Sequence, residues 1–138
     1  MPAQDRFLEA VVRALVKDGW TITHREVKLP FDATNSYVDL LAERTLIAER
    51  GAEKIAVEVK TFAGKSILSE LEKALGQFLI TQTSLRLAQM EHALYLAVPA
   101  DMRDFFKRPA ASELRKNFGI KVVIYDAAKE EILEWIES

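Results

Sequence analysis

The chain has 138 residues, 49% of them hydrophobic and 29% charged, a balance that excludes wholesale disorder and suits one domain of roughly 100–200 residues. It contains no cysteine, which excludes disulfides, thiolate zinc sites, iron–sulfur clusters and cysteine nucleophiles. The formal net charge of −2 carries no basic signature of nucleic-acid binding, although a basic patch on one face is compatible with a near-neutral total.

Residues 1–138 read as a single domain of alternating elements, without repeats, low-complexity tracts or linkers. No apolar run approaches the roughly 18–20 residues that a membrane span requires. The opening Met1-Pro2-Ala3-Gln4-Asp5-Arg6 lacks a basic stretch followed by an apolar one, so the expected location is cytoplasmic.

Asp5 to Asp18 is predicted as a helix, with Phe7, Leu8, Val11, Val12, Leu15 and Val16 on one stripe and Gly19 as its stop. Glu9 falls just beyond the edge of that stripe, positioned to reach toward a sheet. Trp20 to His24 reads as a short strand. Arg25 to Ser36, with Pro30, Asp32 and Asn35 and few periodic apolar residues, reads as a loop. Tyr37 to Ala42 is the next strand, with Thr45 to Glu49 continuing it after an irregularity at Glu43-Arg44. Arg50-Gly51-Ala52-Glu53 is the turn and Lys54 to Phe62 the antiparallel return.

Ser66 is placed to cap a long helix from Ile67 to about Leu87. Ala93 to Val98 is a buried-type strand closed by Pro99. Asp101 to Lys107 and Ala111 to Asn117 read as helices split by Pro109. Ile120 to Tyr125 is a strand and Ala127 to Ile136 a final helix. The fold class expected is α/β: an αβββαβ core followed by α-β-α, with a mixed central sheet flanked by helices on both faces.

One constellation carries chemistry. In Ile55-Ala56-Val57-Glu58-Val59-Lys60, strand alternation puts the apolar odd positions on one face and Glu58 and Lys60 on the other. Asp39, inside Tyr37-Val38-Asp39-Leu40-Leu41, shares a face with Tyr37 and Leu41. Pairing of the two strands with these faces aligned makes Asp39, Glu58 and Lys60 converge among apolar neighbours. Two buried carboxylates need charge compensation. Mg²⁺ (or Mn²⁺), held by Asp39, Glu58 and the Val59 carbonyl with retained waters, would supply it. Lys60 would orient or activate water, or stabilise charge developing on a phosphate. Those are the components of metal-assisted phosphodiester hydrolysis. The alternative is a structural salt-bridge cluster.

Asp39, then 18 intervening residues, then Glu58-Val59-Lys60 on a hairpin resembles the PD-(D/E)XK nuclease motif. The element order resembles the restriction-endonuclease-like core. Glu9 resembles the acidic residue many members carry on the first helix, and Gln77 the glutamine some place near the site. Val38 stands where the motif has proline.

Several blocks resemble the XisH family, the fdxN element excision controlling factors. They are Met1-Pro2-Ala3, Lys17-Asp18-Gly19-Trp20-Thr21-Ile22-Thr23-His24, Ile47-Ala48-Glu49-Arg50-Gly51, Lys54 to Phe62, Gly76-Gln77-Phe78, Leu94 to Pro99 and Glu131 to Ile136. The resemblance implies a cyanobacterial protein linked to programmed excision of a DNA element during heterocyst development, with a small XisI-like partner. It fits a nuclease acting on DNA, a DNA-binding accessory or a regulator. Many nucleases of this fold act as homodimers, and nothing in the residues fixes an interface.

His24 and His92 read as ordinary histidines rather than ligands. Arg103, Lys107, Arg108, Arg115, Lys116 and Lys121 make the last third locally basic. A solvated helical face is favoured over phosphate contact. Glu130, Glu131, Glu134 and Glu137 point away from DNA on the expected final helix, and one of Phe105 and Phe106 belongs in the core.

Overall fold

The computed structural model describes residues 3–46 and 51–137. Helix α1 (Ala3–Lys17) comes first, then strands β1 (Thr21–Phe31), β2 (Thr34–Leu46) and β3 (Gly51–Val59). Helix α2 (Ile67–Leu87) and strand β4 (Ala93–Pro99) follow. A 3₁₀ turn (Ala100–Met102), α3 (Arg103–Lys107), α4 (Pro109–Phe118), β5 (Lys121–Asp126) and β6 (Glu131–Ile136) complete the order. The six strands form one mixed sheet in chain order. β1–β2, β2–β3 and β5–β6 pair antiparallel, while β3–β4 and β4–β5 pair parallel. Among the described residues no helix is long and apolar enough to cross a membrane.

The end of α1 and the start of α2 have local causes. α1 stops in a Schellman turn: the Gly19 N–H donates to Val16 O and the Trp20 N–H to Leu15 O, with Gly19 at φ 92°. The Ser66 hydroxyl accepts the Ser69 N–H at 3.1 Å and opens α2. Two apolar layers enclose the sheet. On one face Leu8, Val11 and Leu15 of α1 pack on Leu40, Ile55, Val57 and Val59. On the other, Leu71, Ala74, Phe78 and Leu85 of α2, with Phe106 of α3, pack on Leu41, Ala56, Leu96 and Val122. Phe106 is core and Phe105 packs partly buried against it.

Four expectations change. Arg25 to Ser36 is not a loop: β1 and β2 run through it and meet at a two-residue turn, Asp32-Ala33, with Asp32 at φ 49°. β1 is an edge strand, where Pro30 leaves no central ladder bond unmade. It is mostly solvent-exposed, so it shows no apolar alternation. Glu43-Arg44 is regular, pairing with Lys54 and Glu53. β3 begins at Gly51, ahead of the expected turn's end, and stops at Val59 rather than Phe62. Ile47 to Arg50 lie outside the described residues.

The last change is the largest. Ala127 to Ile136 is a turn and strand β6, not a helix. Trp135 of β6 packs edge-on against Tyr95 at 4.9 Å and against Trp20 at 5.7 Å, covering the α1 side of the sheet. Glu134 is thereby turned to Arg103 and Lys107, at 2.8 and 2.7 Å, rather than outward from a helix.

Candidate active site

β2 and β3 stay in register from Leu46↔Gly51 to Leu40↔Val57 and then part. In that register Asp39 comes next on β2, opposite Glu58. Strict alternation on β2 breaks here: Val38 and Leu41 both pack on the α2 side, with Leu40 on the α1 side. β1 is also distorted at this level, with Glu26 at φ 52°. Asp39 lies in the break, and its Oδ2 accepts the Val59 N–H at 2.7 Å. A carboxylate thus takes the place of the strand ladder at the point where the strands diverge.

Glu58 faces α2 and is only 2% exposed. Thr81 of α2 donates to its Oε1 at 3.3 Å. Burial and the nearby Asp39 push its carboxyl up to about 8, against the opposing pull of Lys60 and the Thr81 hydroxyl. Burial also raises Asp39, offset by the Val59 N–H and by Lys60, while Glu26 adds to the rise. Lys60 lies just past the end of β3. Its Nζ donates to Gln77 Oε1. Its backbone is held on two sides: the Lys60 N–H donates to Ala97 O at 2.9 Å, and the Tyr125 hydroxyl donates to Lys60 O at 3.0 Å.

The structure therefore brings Asp39, Glu58, Val59, Lys60 and Gln77 together. It does not bring Glu9 to them. Glu9 is ion-paired with Arg25 of β1 at a half-exposed position, so the helix edge reaches the edge strand and not the carboxylate pair. Thr81, Tyr125 and Glu26 are neighbours that the sequence reading missed. Thr81 had a signal, since it lies four residues after Gln77 and so on the same helix face. Tyr125 and Glu26 had none, because their positions depend on how separate strands stack.

His24 is exposed beside Thr23. The His92 Nδ1 is buried without a partner, and burial lowers its pKa. Among the described residues, no three His, Asp or Glu side chains group so as to hold a metal. Any ion at this site would rest on two carboxylates supplemented by main chain and water. Half of the six basic residues of the C-terminal third, Arg103 to Lys121, are engaged within the chain. Arg103 and Lys107 pair with Glu134, and Arg115, 7% exposed, donates to Phe106 O at 3.0 Å.

Residues 1–133 match the XisH protein family. A solved XisH family protein from Nostoc punctiforme PCC 73102 is 40% identical, over 96% of this chain and 99% of that one, with a TM-score of 0.84. A solved fdxN element excision controlling factor protein from Anabaena variabilis is 38% identical, over 96% of this chain and 98% of that one, also with a TM-score of 0.84. No curated protein matches the chain. The family match across nearly the whole length, together with two structures that superpose on this fold, establishes that the chain belongs to the XisH family.

Proposed function

We propose that this protein is a Mg²⁺- or Mn²⁺-dependent endonuclease-like factor of the PD-(D/E)XK type, on a restriction-endonuclease-like core. It would hydrolyse DNA phosphodiester bonds in the cytoplasm during excision of a DNA element. The observation that carries this reading is Glu58: a carboxyl 2% exposed beside Asp39, with one long hydrogen bond from Thr81 and one ammonium group to meet its charge. Burying such a pair costs several kcal/mol unless it is compensated. A hard divalent cation with oxygen ligands suits the donor set. Asp39 and Glu58 would hold it, with the Val59 carbonyl. When bound, it supplies polarisation of a phosphodiester oxygen and a water of lowered pKa.

The chain's own groups do the rest. Gln77 and Tyr125 fix Lys60 at both its head and its main chain. The ammonium group orients water at the phosphate or meets the charge that develops there. Thr81 keeps Glu58 turned toward α2. The test is cleavage of DNA by metal-free protein to which Mg²⁺ or Mn²⁺ is added back, with Lys60→Ala as control. Metal-dependent cleavage lost in the variant supports the reading. No cleavage with either metal overturns its catalytic part.

A second reading is a catalytically inactive accessory or regulatory module acting through an XisI-like partner. One observation favours it. Leu75 and Leu79 of α2, with Leu114, Phe118 and Ile120, line an apolar cavity of about 110 Å³, and Phe118 is 57% exposed. Co-purification with that partner at fixed stoichiometry, without nuclease activity, distinguishes it. A homodimer would appear in sedimentation or scattering of the protein alone.

A further inference from the structure

Lys60 meets α2 at Gln77, and Glu58 meets it one turn later at Thr81. These two contacts fix which face of the helix looks onto the candidate site. At about 100° per residue, Lys73 lies about 40° round from Gln77 on that face and about 6 Å nearer the helix start. Lys73 is exposed, and among the described residues its ammonium group enters no ion pair or hydrogen bond. Glu70, three residues before it and so its natural partner on the helix, is instead drawn over Gly64, where its carboxylate fills the space a Cβ would take. A cation is thus left open to solvent one helical turn along from the group that holds Lys60.

Toward the end of α2 the surroundings differ. There the site opens on a groove of about 390 Å³ whose lining residues, among them Asn35, Ser36, Ile80 and Thr81, carry no charge. Ser36 turns toward α2 and donates to the buried Ser84 at 2.7 Å, and Val38 packs on the same side. Tyr37 between them and its ladder partner Lys28 therefore project from the other face of the β1–β2 hairpin. Arg86, the next cation on α2, falls about 180° round from Gln77. Lysine contacts to phosphate position DNA without reading its sequence. We propose that Lys73 binds the phosphate next to the scissile one, on one side of the cut only. The cleaved strand is gripped along the first half of α2 and runs without a neutralising side chain past Ile80 and Asn35. The inference rests on the nuclease reading and adds how that site holds its substrate's backbone.

The experiment is fluorescence anisotropy of duplex DNA in Ca²⁺, to suppress cleavage, across a range of monovalent salt. Lys73→Gln is compared with Lys54→Gln, the same change at an exposed residue six positions before Lys60, about 20 Å back along β3. Lys73→Gln binds more weakly at low salt, and the slope of log K against log[salt] falls by about 0.9, equally for unrelated sequences. Lys54→Gln keeps the wild-type slope. Glutamine suits a helix nearly as well as lysine, and an unchanged metal-induced rise in Tm confirms that the variant's site is intact. A second arm places one uncharged methylphosphonate on either side of the position cut in Mg²⁺. Wild type loses affinity with one of the two substrates and not the other, and Lys73→Gln is indifferent to both. A wild-type slope in Lys73→Gln overturns the phosphate contact while leaving metal-dependent cleavage standing. Equal sensitivity of wild type to both methylphosphonates overturns the one-sided grip. A reduced slope in Lys73→Gln without cleavage by wild type in either metal supports the contact with the DNA backbone and overturns the catalytic reading and, with it, the placement beside a cut. Absence of DNA binding by wild type overturns both.

Discussion

Asp39 Oδ2 receives the Val59 N–H at 2.7 Å, one residue beyond the last position at which β2 pairs with β3. The bond holds an acid between two diverging strands and beside Glu58. An asparagine there keeps a carbonyl oxygen for the N–H but loses the charge. Asp39→Asn is therefore expected to fold and to lose any stabilisation by divalent metal. In wild type, metal at about 100 times its Kd adds about 2.7 kcal/mol, which differential scanning fluorimetry reads as a rise of several degrees in Tm. Equal rises in both proteins would remove these two carboxylates from consideration as a metal site.

The raised Glu58 carboxyl has a signed consequence. Its folded value of about 8 lies above the usual 4.5, so folding takes up a proton between those limits. Stability of the metal-free protein is expected to be highest at the acid end of that window, to fall as the pH rises through it, and to level above about 8. Asp39, also raised, acts in the same direction. Urea midpoints measured in chelator across the window check this. Glu58→Gln, which carries no titrating proton, is expected to flatten most of the slope.

Lys60 is tied at its ammonium by Gln77 and at its carbonyl by Tyr125. Removing the ammonium is expected to lower cleavage by roughly 10²- to 10⁴-fold, the span of a positioned proton-transfer group, with little change in Tm. Gln77→Ala leaves the ammonium in place and loosens it, so a smaller loss is expected. Single-turnover cleavage rates at saturating protein rank the variants, and a larger loss in Gln77→Ala than in Lys60→Ala would contradict the assigned roles.

Glu9 pairs with Arg25 at a half-exposed position. Exposed pairs of this kind contribute about 0.2–1 kcal/mol. Glu9→Gln is expected to change stability by no more than that and to leave the metal-induced Tm shift as in wild type. A lost shift in this variant would return Glu9 to the site.

β6 is tested by its two faces. Trp135 packs between Trp20 and Tyr95, while Leu133 is 37% exposed. Trp135→Ala is expected to destabilise by about 2–4 kcal/mol and Leu133→Ala by well under 1 kcal/mol, roughly the scale of a surface change. Denaturant unfolding of the two variants decides it.

What could be read from the residues alone followed from short-range rules. Apolar residues at 55, 57 and 59 fixed which face Glu58 takes, because side chains alternate along a strand. Ser66 and Gly19 marked helix ends because their groups act within one turn. β1 escaped detection because an edge strand with solvent on most sides needs no apolar alternation. Ile132, Leu133, Trp135 and Ile136 satisfy a helical period as well as a strand, and only Trp20 and Tyr95, distant in sequence, select the strand.

The sequence by itself determined that an acid, a second acid and a lysine lie on, or just past the end of, two successive antiparallel strands, since strand period is a local property. Tertiary structure alone decided their surroundings. It decided that Glu9 goes to Arg25, that Thr81 and Gln77 of α2 hold Glu58 and Lys60, and that Tyr125 grips Lys60 from another strand. Those contacts join residues far apart in the chain, and their geometry comes from how the helices settle on the sheet, which no local pattern of residues encodes.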